Sequence, residues 1–108
     1  VPPAPTRVPD LMDDLIRYLN RDDVPVLVQA AIGHAQFESI HPFSDGNGRL
    51  GRAIVEHVFA RDSALPFSLS RSIEADKRGY YAALQAGRTV AGDRIDATPF
   101  VLWFLVGL

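Results

Sequence analysis

The feature that most constrains this chain is a break. Helical, apolar sequence runs from about Val24 to Ile40 and again from about Asn47 to Arg61, and Gly46 and Gly48 stand where the second stretch begins. Glycine is disfavoured in helix interiors and suited to tight loops, so the pattern predicts two helices joined by the loop His41 to Gly46. The run His41-Pro42-Phe43-Ser44-Asp45-Gly46-Asn47-Gly48-Arg49-Leu50-Gly51-Arg52 then places a titratable base, a carboxylate, an asparagine and two arginines around one turn.

The flanking sequence is helical in pattern too. Val1-Pro2-Pro3-Ala4-Pro5 reads as an extended, proline-rich lead-in that cannot be helical. From Pro9-Asp10 onward, Leu11, Met12, Leu15, Ile16 and Leu19 recur at helical spacing, with Asp13 and Asp14 near the start and an end between Asn20 and Asp23. In the helix from Val24, Pro25 fits the first turn. Val26, Leu27, Ala30, Ala31, Ala35 and Phe37 spread apolar surface around that helix and predict a central position. The helix after the loop is built on Leu50, Ile54, Val55, Val58 and Phe59. A connector follows from Ser63 to Leu69, then a fourth helix capped by Ser70 or Ser72 and running through Ile73, Tyr80, Tyr81 and Leu84. Gly87 to Arg94 reads as a loop. Thr98 is expected to N-cap a last helix packed through Phe100, Val101, Trp103, Phe104 and Leu105. There is no internal repeat, hairpin alternation or low-complexity segment. A chain of 108 residues holds one continuous core, and the pattern is that of an all-α domain.

Charge and composition exclude several classes. A net charge of −2 argues against nucleic-acid binding through a broad basic surface, so any anion site must be local. No cysteine is present, which removes disulfides and thiolate zinc sites and fits a reducing compartment. No apolar stretch approaches the roughly 18 residues that span a bilayer, and no signal peptide is visible, so no membrane partner is expected. The chain begins at Val1 rather than Met and reads as a piece of a longer protein.

The loop residues suit phosphate chemistry. Gly46 and Gly48 let a ligand approach the main chain, and the first amides of a helix have no intrahelical partner. Those amides and the helix dipole favour phosphate. Arg49 and Arg52 leave the same side of the helix and can grip phosphate oxygens in bidentate fashion, and the Asn47 amide can donate to the same group. Asp45 is a hard oxygen ligand suited to Mg²⁺ beside substrate phosphates. His41, on the other arm of the loop, could take a proton from an attacking hydroxyl. The plain alternative is a turn in which Asp45 or Asn47 caps the helix. Against it, two arginines in the first turn oppose the helix dipole, and a bound anion would remove that conflict.

The stretch His41 to Arg52 resembles the Fic family motif, His-x-Phe-x-Asp/Glu-Gly-Asn-Gly-Arg-x-x-Arg, at every defined position. Val1-Pro2-Pro3 with Val8-Pro9-Asp10-Leu11-Met12, His34-Ala35-Gln36-Phe37-Glu38, Tyr80-Tyr81 and the Pro99-Phe100 to Leu105 helix are similar as well. The resemblance implies a Fic-type helical bundle of about five to six helices, with residues 1–108 as a single catalytic core. It implies AMP transfer from ATP to a hydroxyl of a target protein, on Ser, Thr or Tyr (AMPylation). His41 would be the general base and Phe43 would anchor the loop in the core. Asp45 would hold the Mg²⁺ bridging the phosphates, and Gly46, Asn47 and Gly48 would form the anion hole. Arg49 and Arg52 would bind the outer phosphates, with Tyr80 and Tyr81 near the adenosine.

The chain departs from the family in three places. The β-hairpin flap that commonly presents the target segment would lie before Val1. The inhibitory pattern Ser/Thr-x-x-x-Glu-Gly/Asn is not matched by Ser70-Arg71-Ser72-Ile73-Glu74-Ala75, so restraint would fall to another segment or a separate antitoxin. Arg88 stands where some relatives have an adenosine-contacting Asn. Alternatives are a Fic protein using another nucleotide donor or removing AMP, and a non-catalytic nucleotide-binding or toxin–antitoxin module. Gly48 argues against the Doc-type phosphotransferases, which usually carry lysine there. The expected location is a bacterial cytoplasm, or a host cell reached as a translocated effector. Elsewhere, His34 reads as a buried, hydrogen-bonded histidine, His57 as a surface or packing residue, and Lys77 and Arg78 as a solvated face. A three-histidine metal site from His34, His41 and His57 is disfavoured because no ligand pair is closely spaced.

Overall fold

Six α-helices and no strand are found among the residues that the computed structural model describes, which are 3–61, 69–88 and 96–106. They are α1 (Val8–Leu19), α2 (Val26–Ile40), α3 (Asn47–Ala60), α4 (Leu69–Ala75), α5 (Lys77–Arg88) and α6 (Thr98–Val106). A single 3-10 turn, Pro5–Arg7, leads into α1. The expected lead-in is thus shorter than the prolines suggest, because Pro5 opens the turn where its missing N–H costs nothing, and Pro9 does the same in α1.

The all-α class and the central place of α2 are as the apolar pattern requires. α2 packs against α1, α3, α5 and α6. Its Ala30, Ala31 and Ala35 lie in the main core with Val55, Val58 and Phe59 of α3, Tyr80 and Leu84 of α5, and Phe100 and Phe104 of α6. Phe37 and Ile40 join Leu15 of α1 in a second cluster. Gly33 lets α1 approach, since a Cβ there would stand 2.8 Å from the Leu19 side chain.

Polar caps set the helix ends, and several differ from expectation. Pro25 is the N-cap of α2 rather than a first-turn residue. Its backbone is extended (φ −55°, ψ 137°), its carbonyl accepts the Gln29 N–H, and proline also disfavours helix at Val24. Buried Gln29 in turn donates to the Tyr18 and Arg21 carbonyls at 2.9 and 3.0 Å, and Arg61 donates to the Leu19 carbonyl at 2.9 Å. Arg61 also bonds the Gln29 carboxamide, so the C-terminal end of α1 is tied to α2 and α3. The predicted fourth helix is two. Asp76 accepts the Gly79 N–H at 3.0 Å and so starts α5 afresh, while its other oxygen takes the Trp103 indole N–H at 3.0 Å. For α6, Asp96 rather than Thr98 supplies the cap, accepting the Thr98 N–H at 3.0 Å.

Three apolar expectations fail. Ile16 is exposed on α1, beside buried Leu15. Leu50 is exposed because the buried line of α3 runs through Asn47, Gly51, Val55 and Val58, one position away. Leu105 is 38% exposed, turned away from the buried face of Phe100 and Phe104. Lys77 and Arg78 are exposed, as is His57. Most of the Ser63 to Leu69 connector, the loop after Gly87 and the side chain of Arg88 lie outside the described residues. No helix among the described residues is long and apolar enough to cross a membrane.

Candidate active site

The loop between α2 and α3 is bracketed by two left-handed residues. α2 ends on His41 (φ 50°, ψ 59°), whose N–H still reaches the Phe37 carbonyl at 3.0 Å. α3 starts from Gly46 (φ 83°, ψ 3°), whose carbonyl accepts the Leu50 N–H at 3.1 Å. Glycine takes this region without cost, whereas any other residue is strained there by roughly 1 kcal/mol or more. His41 is the one non-glycine residue with positive φ among the described residues. A costly backbone held by an exposed histidine is the kind of strain found at functional sites.

Asn47 closes the loop. Its Nδ2 donates to the Phe43 carbonyl at 2.5 Å and its Oδ1 accepts the Phe43 N–H at 3.1 Å, and the residue is buried. Its carboxamide therefore shapes the loop, using Oδ1 and one of the two Nδ2 hydrogens. The same pair explains Phe43, which is 50% exposed instead of anchored in the core. The loop is held through the main chain of Phe43, so its ring need not be buried.

Neither Asp45 nor Asn47 caps α3, which has no side-chain cap and no acid in its first turn. Asp45 is exposed and, among the described residues, accepts only its neighbour's amide, Gly46 N–H, at 2.8 Å. The two arginines turn back towards the helix start. A Cβ on Gly46 would stand 3.6 Å from Arg49 Nη2, and one on Gly48 3.3 Å from Arg52 Nη1. The structure thus gathers His41, Asp45, Gly46, Gly48, Arg49 and Arg52 at one end of two adjoining helices. Two guanidinium groups lie by a helix N-terminus that has no side-chain cap among the described residues, a combination that favours an anion.

Tyr80 and Tyr81 part company. Tyr80 is buried and its hydroxyl lies 2.7 Å from His34 Nε2, so it is a core residue and not a wall for a nucleotide. Tyr81 is 61% exposed, because adjacent helical positions point about 100° apart. His34 is fully buried, as its apolar neighbours predict, and lies against Phe100 with ring centroids 5.3 Å apart. Burial pushes its imidazole down to about 4, the Arg52 charge adds to that, and a bond to Gly51 opposes it. The Gly51 carbonyl, 2.9 Å from His34 Nδ1, can only accept, so Nδ1 carries the proton and Nε2 accepts from Tyr80.

Gly51 itself escapes the sequence pattern. A Cβ there would overlap the Glu38 carboxylate and stand 3.1 Å from His34 Cε1. A glycine in a helix interior was the available signal.

The family whose profile this chain matches is described as the Fic/DOC family, over residues 1–59. A "probable protein adenylyltransferase" of Aquifex aeolicus (strain VF5) is 38% identical over 65 residues, covering 59% of this chain and 20% of that protein. The protein adenylyltransferase fic-1 of Caenorhabditis elegans is 30% identical over 103 residues, 93% of this chain and 19% of the relative. The chain therefore spans about a fifth of the length of these relatives. A crystal structure of a Fic family protein from Desulfovibrio desulfuricans G20 superposes with a TM-score of 0.79 at 37% identity, covering 98% of this chain and 32% of that one. With the motif, the helical core and these likenesses in agreement, the chain belongs to the Fic/DOC family.

Proposed function

We propose that this domain transfers AMP from ATP to a Ser, Thr or Tyr hydroxyl of a target protein. The observation that carries this is the strained, exposed His41 set across a six-residue loop from an arginine-flanked helix start without a side-chain cap. His41 accepts the proton of the target hydroxyl. The hydroxyl oxygen forms a bond to the α-phosphorus, the bond from that phosphorus to the bridging oxygen of the β-phosphate breaks, and pyrophosphate leaves. The amides of Asn47 and Gly48 stabilise charge on the phosphates, Gly46 lets them approach the main chain, and Arg49 and Arg52 hold the outer ones. Tyr81, exposed on α5, is the remaining candidate for the adenosine end.

Asp45 suits a divalent cation only in part. No group of three or more His, Cys, Asp or Glu side chains converges among the described residues, so a cation would need substrate phosphates as co-ligands. That is the usual mode for Mg²⁺, with one or two carboxylates. When bound, it would supply charge neutralisation at the phosphates. A cytoplasmic place of action accords with ATP as donor.

The test uses the full-length protein with labelled ATP, Mg²⁺ and cell lysate. Label should appear on protein in the native enzyme and fall by at least about a hundredfold in His41→Ala, with ATP affinity retained. Arg52→Ala should weaken ATP binding. Unchanged transfer in His41→Ala would refute the base. ATP binding without transfer in the native protein would mark a binding module instead.

A further inference from the structure

We propose that His34 is a positioning residue that holds the phosphate-binding end of α3 in register with the histidine at the end of α2. His34 lies on α2, seven residues or about two turns before His41. Its Nδ1–H donates to the carbonyl of Gly51, which sits between the two motif arginines and one turn past the open end of α3. The bond therefore links the helix that ends in the base to the helix that carries the cradle, immediately behind the loop.

Two features make the link stiff. Tyr80 of α5 donates to the other ring nitrogen and fixes the tautomer that puts a proton on Nδ1. The His34 ring is wedged between Tyr80 and Phe100, with centroids 5.7 and 5.3 Å away. On the α3 side, Gly51 admits the approach because a side chain there would collide with Glu38 and crowd the His34 ring. The family motif leaves this position undefined, and in this chain packing restricts it.

The consequence follows from which groups move together. Gly48, Arg49, Arg52 and the first amides all belong to α3, so a small shift of α3 carries the phosphate site as one body. Nucleotide affinity then changes little. The attacking hydroxyl is governed by His41 at the C-terminal end of α2, so the same shift misaligns attack, and misplacement by about 1 Å can cost a hundredfold in rate. The inference rests on the transfer chemistry proposed above.

Two substitutions separate the bonds. His34→Asn places an amide donor near the Nδ1 position and keeps the Gly51 bond while losing that to Tyr80. His34→Gln places its amide near Nε2 and does the reverse. In full-length protein, His34→Gln should lower kcat about tenfold or more with KM for ATP within about twofold. His34→Asn should stay within about threefold of native, and Tyr80→Phe should show a similarly small drop. Equal kcat in the Asn and Gln variants, or kcat and KM falling in step with thermal stability, would overturn the proposal. Amide hydrogen exchange over residues 47–55 decides it independently of activity. Protection should drop in His34→Gln and persist in His34→Asn, and the opposite or equal pattern would refute the link. If the native protein transfers nothing, the functional assignment fails while exchange still judges the positioning role.

Discussion

Two histidines seven residues apart, one within α2 and one capping its C-terminal end, have opposite surroundings. His34 is fully buried, both ring nitrogens are committed, and its backbone is ordinary helix. His41 is exposed and left-handed, and among the described residues its ring makes no hydrogen bond. The first is built into the scaffold, and the second is held out from it at some cost in backbone energy. The contrast separates the two jobs that a transfer site needs, rigid placement and a group ready to exchange a proton. Both jobs are done by the same residue type, so residue identity alone does not distinguish them.

Acid tests the contrast most strongly. His34 takes a proton near 6.5 in the unfolded chain but only near 4 when folded. Between those values the unfolded state binds more protons, so stability is full above about pH 6.5 and falls as pH drops towards 4. The loss is up to about 3 kcal/mol. Denaturant melts of the native protein and His34→Asn across that window should show the loss in the first and its attenuation in the second. A pH-independent native stability would mean His34 is far less buried than it stands here.

A smaller effect is expected on the facing helix. Gly51→Ala displaces the Glu38 carboxylate and presses on the fixed His34 ring, 3.1 Å from the new methyl, and should cost roughly 1 kcal/mol or more, measured by the shift in urea midpoint. Helix propensity alone predicts the opposite sign, a gain of up to about 1 kcal/mol, so the measurement decides between packing and propensity. The smallest effect is at the other histidine. His41→Gly relieves the left-handed strain while loosening the unfolded chain, so stability should hold or rise by up to about 1 kcal/mol as transfer is lost. A clear destabilisation would show that the His41 ring is structural after all and would erase the comparison.

Much of this was legible in advance. The apolar spacing around Leu15, Ala30, Val55 and Phe100 identifies four of the helices and the centrality of α2, because burial periodicity is written directly into sequence. The two glycines mark where the loop enters α3. The division of the fourth helix is not legible, because Asp76 looks like an ordinary surface acid. Only its bonds to the Gly79 amide and the Trp103 indole make it a helix start. The place of Phe43 is not legible either, since the resemblance implies a buried anchor while Asn47 grips its main chain and leaves the ring half exposed.

By itself the sequence determined the all-α class, the loop and the set of groups that could serve a phosphate, since residue types at fixed spacing suffice for those. It also marked His34 as buried. Tertiary structure alone decided that Tyr80 belongs to the core while Tyr81 faces solvent, that the Asn47 carboxamide serves the loop, and that position 51 admits only glycine without rearrangement. Each of these depends on contacts between helices distant in sequence, where a partner's position, and not the residue's own chemistry, sets what the side chain can do.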